Sequence, residues 1–238
     1  MLLEKQNAGN ILVDSSALIK SVSKEDNKNL ESDRKNLSHQ LTRIAAMQTA
    51  EYIMHNMIKV KAFSKVEELW SYALNEVTLQ GMYLEFGVYS ARSINFMSNI
   101  KQEEKFYGFD SFEGLPEDWR TGYHKGTFKC NLPNVNENIT LIKGYFDETL
   151  PEFVKEHSET CAFIHVDCDL YSSAKTVFDY LKNQIQAGTI ILFDEYFNYP
   201  GWQDGEFKAF QEFVEENQIR YEYLAYRNTH EQVLVRIL

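Results

Sequence analysis

Acidic side chains stand where apolar runs stop. CAFIHV runs into Asp167, Cys168 and Asp169, GTIILF into Asp194 and Glu195, and KFYGF into Asp110, while MYLEF carries Glu85. An acid at such a point solvates a strand end, caps the next helix, or holds a ligand. The chemistry open to it is wide: a carboxylate accepts sugar hydroxyls, takes a proton from a nucleophile, or binds a hard cation. His165 lies two residues before Asp167, on the same strand face, as a core histidine or a partner of that acid. His124, in the loop sequence WRTGYHKGTF, is either a general base or a solvated side chain. Cys130, Cys161 and Cys168 are odd in number and lack C-x-x-C spacing. They read as reduced thiols of a cytoplasmic protein, not as a disulfide frame or a zinc site.

These residues need a scaffold, and the chain alternates in a way that supplies one. MYLEF, KFYGFD, ITLIKG, CAFIHVD and GTIILFDE read as strands, and SARSINFMSNI, LPEFVKEH, SSAKTVFDYLKNQI and GEFKAFQEFVEEN as helices between or after them. That alternation predicts a parallel sheet covered on both faces. RYEYLAY and QVLVRIL, separated by a short polar link, predict a closing antiparallel hairpin. Residues 79–238 therefore read as one α/β domain. Residues 1–78 read as a polar arm plus two helices, a lid or a homodimer face. In the first helix Ile44, Met47, Ile53, Met54 and Met57 have amphipathic spacing. The second follows the link KAFS, with Ser64 as its expected N-cap.

Composition narrows the partners. The 238 residues are 44% hydrophobic, enough for a substantial core, and carry a net charge of −11. Nucleic acid and anionic membrane surfaces both call for clustered Lys and Arg, so neither is an expected partner. The first residues, MLLEKQNAGN, do not resemble a signal peptide, and no apolar stretch reaches the ~18 residues of a membrane span.

In a doubly wound sheet, ligands sit beyond the carboxyl ends of the strands. Glu85 leads into a turn at Gly87, where glycine permits close backbone approach, but the remaining glycines of a dinucleotide fingerprint are missing. Asp110 suits the two hydroxyls of a ribose or caps the turn DSFEG. Gly144, Tyr145 and Phe146 either sandwich a flat ring or serve as core. In order and spacing, YLEFGVYSARS, FYGFDSFEGLPEDW, KGYFDETLP, HVDCDLYSS and GTIILFDEYFNYPGW resemble the class I S-adenosylmethionine-dependent methyltransferases. More narrowly they resemble the macrocin O-methyltransferase (TylF-like) family, over about residues 80–238.

The resemblance implies a Rossmann-like seven-stranded, mostly parallel sheet with a C-terminal antiparallel hairpin. It implies that Glu85, Phe86, Gly87, Tyr89, Ser90 and Ser93 cradle the methionine part of the cofactor. Asp110, with Ser111 and Phe112, would then hold the ribose, and Gly144, Tyr145 and Phe146 the adenine. In that family's strand order the fourth and fifth strands are neighbours. Asp167, Asp194 and Glu195 would then converge as ligands of a divalent ion, Mg²⁺ being the expected one, with Asp167 both catalytic and beside the cofactor. Asp169 is assigned with Ser172 to capping the following helix, and Tyr196, Tyr199 and Trp202 to an acceptor wall or the core. The expected activity is metal-assisted O-methylation of a small molecule or sugar. A metal-free methyltransferase using His124 or an acid as base, and a non-catalytic cofactor-binding partner, are the alternatives.

Overall fold

A computed structural model describes residues 34–238. Helix α1 (Leu37–Asn56) leads to β1 (Lys61–Phe63) and α2 (Val66–Glu76). The alternation follows: β2 (Met82–Phe86), α3 (Arg92–Ile100), β3 (Phe106–Asp110), β4 (Ile139–Lys143), α4 (Phe146–Glu156), β5 (Cys161–Val166), α5 (Tyr171–Leu181) and β6 (Ile190–Phe193). A 3₁₀ turn (Trp202–Asp204) and α6 (Glu206–Glu216) precede the hairpin β7 (Tyr221–Arg227) and β8 (Val233–Ile237). The chain divides after Arg43, and the strands all lie in the unit Ile44–Leu238.

The strands form one sheet in the order β1-β7-β8-β6-β5-β2-β3-β4. All neighbouring pairs are parallel except those made by β8, which runs antiparallel to β6 and β7. From β2 the chain winds outward through β3 and β4, then returns to place β5 on the other side of β2. This reversal opens a crevice at the carboxyl ends of β2 and β5, the usual ligand position in such sheets.

Burial explains why the central strands read as continuous apolar runs. Every residue of β2, β5 and β6 is buried, because helices cover both faces of a parallel sheet. Alternate side chains feed two cores. Leu84, Phe86, Ile164, Val166, Ile191 and Phe193 pack with the helices α4, α5 and α6 through Leu150, Phe178 and Phe210. Tyr83, Phe163, Ile190 and Leu192 pack on the other side with Leu69, Trp70, Ile94 and Met97 of α2 and α3.

Three local expectations are corrected. KAFS is not a mere link: Lys61–Phe63 pairs in parallel with Ala225–Arg227 and adds an eighth strand at the sheet edge. Three residues are too short a run for a strand pattern to show before the hairpin supplies its partner. Ser64 does not cap α2, whose N-cap is Lys65 without a side-chain bond; the Ser64 carbonyl instead accepts from Thr229 Oγ1 at 3.0 Å. In α1, Ile44, Met47 and Met54 are exposed, whereas Ala45, Thr49 and, just past the helix, Met57 are buried. Tyr52 and Ile53 are partly buried against the core, so of the expected apolar face only Ile53 and Met57 meet it.

Candidate active site

Backbone ladders carry the acids to adjacent places. Gly87 N donates to the Phe109 carbonyl, Asp167 N to the Phe86 carbonyl and Asp194 N to the Val166 carbonyl, each at 2.9 Å. Asp194, Asp167, Gly87 and Asp110 thus stand at the ends of the successive strands β6, β5, β2 and β3 on one rim of the sheet. A cavity of about 690 Å³ opens above that rim. It is lined by Gly87, Tyr89, Ser90, Ser93, Asp110 and Ser111, then by Gly144, Tyr145 and Phe146, and on its other side by Asp167, Asp169, Asp194 and Glu195. The size suits a cofactor and a small acceptor together.

Gly87 has φ +94°, and a Cβ there would lie 1.6 Å from the Asp167 carbonyl oxygen. The close approach that requires glycine is therefore made by the β5 exit. The same turn is held by Asp110: its Oδ2 accepts from Val88 N at 2.9 Å and Tyr89 N at 2.8 Å, and its Oδ1 from Phe112 N at 2.6 Å. A carboxylate has about four lone-pair positions and these amides take three, so acceptor capacity remains for one ligand hydroxyl.

The parallel register sets Glu85 opposite His165, both fully buried. Glu85 accepts from Ser93 Oγ at 3.0 Å, and its other oxygen pairs with His165 Nδ1 at 2.9 Å. His165 Nε2 faces Asp194 Oδ1 at 3.8 Å, and that oxygen accepts from Gln232 Nε2 at 2.9 Å. Burial disfavours the His165 cation, but Asp194 and Glu85 on either side outweigh it and lift its pKa well above the usual value. Asp194 is half-buried, a situation that disfavours its charge, yet His165 and Gln232 hold its pKa below the usual carboxylate range. Asp167 goes the other way: burial, then the charge of Asp194, pushes it well up. Glu195 is raised by burial and by Asp194, Asp169 and Asp167, and its Oε2 is buried without a partner. Asp169 is pushed to about 7, mainly by burial, against the favourable charge of Arg120.

Residues 84–196 match the family model described as a methyltransferase domain. This match, together with the sheet order, supports an S-adenosylmethionine-dependent methyltransferase. One curated relative is demethyldecarbamoylnovobiocin O-methyltransferase of Streptomyces niveus, 22% identical over 182 residues, 65% of this chain and 68% of that protein. Among solved structures, the calicheamicin methyltransferase CalS11 superposes with TM-score 0.61 at 19% identity, covering 98% of this chain and 99% of the other. An O-methyltransferase from Bacillus cereus in complex with SAH gives TM-score 0.51 at 13% identity, over 89% and 97% of the two chains. At these identities the solved structures establish the fold.

Several residues stand apart from the expected constellation. Glu85, Phe86 and Phe112 are buried beneath the cavity: Glu85 fixes His165 and Ser93, and Phe86 stacks on Phe109 at 4.8 Å. His124 does not line the cavity; its side chain is 75% exposed and its Nδ1 lies 3.6 Å from Asp118. Tyr196 and Trp202 are core residues. Tyr196 is fully buried with its hydroxyl 2.7 Å from that of Tyr223, and the Trp202 ring packs edge-on against Phe207 at 4.8 Å. An aromatic-rich segment reads alike whether it faces a ligand or a core, which is why sequence misplaces it. Asp169 does not cap α5: the N-cap is Leu170 with no side-chain bond, and Asp169 takes φ +64° and lines the cavity. Ser172 Oγ instead donates to Glu117. Arg92 meets a carboxylate, that of Glu67.

Sequence reading missed Glu206, Gln232 and the pair Arg120–Glu231. Arg120 lies 3.3 Å from Glu231 and 3.9 Å above the Trp119 ring, tying the Ser111–Cys130 loop to the hairpin. Gln232 and Glu231 sit in a polar link that carries no motif. For Glu206 the signal was a Gly-Glu step at a helix start.

Proposed function

We propose that the protein transfers the methyl group of S-adenosylmethionine to a hydroxyl oxygen of a small-molecule or sugar acceptor, assisted by a divalent cation. The observation that carries this reading is the convergence of Asp167 and Asp194 at adjoining strand ends, beside the glycine turn, on one cavity. One atom each from His165, Asp167 and Asp194 lies within 4.8 Å of the others. The raised pKa of Asp167 beside Asp194 is what a cation of hard character relieves. Asp167 and Asp194 would hold it, and Mg²⁺ fits their oxygen donors; Glu195, expected as the third ligand, is not among the side chains whose atoms lie within 4.8 Å of one another. Bound there, such an ion supplies Lewis acidity that makes an acceptor hydroxyl easier to deprotonate.

The chain's own residues do the rest. The Gly87–Ser93 turn and Asp110 seat the methionine and ribose parts of the cofactor, and Tyr145 and Phe146 flank its base. Asp169, on the acceptor side of the cavity, takes the hydroxyl proton. Alignment of oxygen, methyl carbon and sulfur supplies much of the acceleration. The small-molecule O-methyltransferases among the similar proteins, a novobiocin-pathway enzyme included by its name, support the acceptor class. If instead the reaction is metal-free, the same Asp169 is the base. Crystals grown with S-adenosylhomocysteine and Mn²⁺ test the reading: an anomalous peak between Asp167 and Asp194 is expected. Cofactor density with no peak there contradicts it.

A further inference from the structure

Glu206 is the first residue of α6, fully buried, and its carboxylate touches both acid-bearing strand exits. Oε1 accepts from Cys168 N at 3.1 Å and from Asp169 N at 3.2 Å, and Oε2 accepts from Glu195 N at 3.3 Å. These three amides lie within the two loops that present Asp167, Asp169, Asp194 and Glu195. Three backbone donors at the amino end of a helix fix the carboxyl in place, while burial, only partly offset by the Cys168 and Glu195 amides, raises its pKa to about 8. The approach is built into the preceding segment. Trp202 and Phe207 pack on Tyr52, and at Gly205 a Cβ would lie 2.1 Å from the Tyr199 hydroxyl, so only glycine lets the chain pass beneath that ring.

We propose that Glu206 is a positioning residue: it clamps the β5 and β6 exits at a fixed separation, and thereby sets the spacing of the carboxylates that receive the cation and acceptor. This rests on the cation-assisted reading above for its function, while the clamp itself stands on the three hydrogen bonds. Cofactor seating is carried by the Gly87 turn and Asp110, which Glu206 does not touch.

The test compares Glu206→Gln with Phe213→Leu, a substitution on the same helix at a ring that stacks on Phe178 of α5 at 4.9 Å rather than on either loop. Glu206→Gln has the same shape but replaces one acceptor oxygen by a donor. Amide hydrogen exchange at Cys168, Asp169 and Glu195 should accelerate selectively in Glu206→Gln and not in Phe213→Leu. Mn²⁺ affinity should fall about tenfold or more, as for other residues that orient metal ligands, with S-adenosylhomocysteine affinity held within about twofold. Unchanged exchange at those amides overturns the clamp. Selective exchange with wild-type Mn²⁺ affinity overturns its positioning role. If the wild-type protein binds no Mn²⁺, the cation reading falls, and the amide exchange rates decide the clamp alone.

Discussion

Asp167 is the residue through which most of the site is connected. Its backbone meets Gly87, its carboxyl faces Asp194, and its loop is held from below by Glu206. Asp167→Asn should keep the fold and cofactor binding but lower methyl transfer by roughly 100-fold or more, the scale for losing a charge-stabilising group. Steady-state kinetics with calorimetry of S-adenosylhomocysteine would check it; activity near wild type would remove Asp167 from the chemistry. Gly87→Ala should behave differently, because its Cβ collides with the Asp167 carbonyl at a positive φ. Here both the melting temperature and cofactor affinity should drop. A variant that melts like wild type would show that the β2 and β5 ends do not need this contact.

At the scale of elements, the rim of acids is supported by an aromatic block beneath α6. Phe210 packs on Phe193 at 5.0 Å and on Tyr221 at 4.8 Å, and Tyr196, Tyr221 and Tyr223 join their hydroxyls inside it. Phe210→Ala should cost about 3–5 kcal/mol, measurable by denaturant unfolding. The buried hydroxyls also give the fold an alkaline limit. Burial raises Tyr52 and Tyr83 to about 12, whereas an unfolded tyrosine ionises near pH 10. The unfolded chain therefore loses these protons first. Their contribution to stability is complete below about pH 10 and disappears as pH climbs through about 12. Tyrosinate absorbance followed with circular dichroism should show these groups titrating only as the fold is lost; titration near pH 10 in the folded protein would contradict it.

The same elements show what could be read in advance. MYLEF, CAFIHV and IILF identify themselves because a strand buried on both faces must be apolar throughout, so an acid at its end is conspicuous. Lys61–Phe63 was invisible because a short edge strand exists only through its partner β7. Asp169 and Tyr196 were misplaced because a side chain's direction depends on a left-handed turn or on packing, neither of which residue type encodes. Glu206 was overlooked because its partners are backbone amides from distant parts of the chain.

At the scale of the molecule, the described residues bring together a mostly parallel sheet, a crevice at its switch point and a rim of carboxylates. None of their helices is long and apolar enough to cross a membrane. Part of the chain's acidic excess, Asp110, Asp167, Asp169, Asp194 and Glu195, lines this crevice. The most direct test is transfer of labelled methyl from S-adenosylmethionine to a panel of vicinal sugar diols and catechols, run with and without EDTA. The account predicts an O-methylated product whose formation stops on chelation and returns with added Mg²⁺. Product formation that continues unchanged in EDTA, or methyl groups found on nitrogen or carbon, would contradict it.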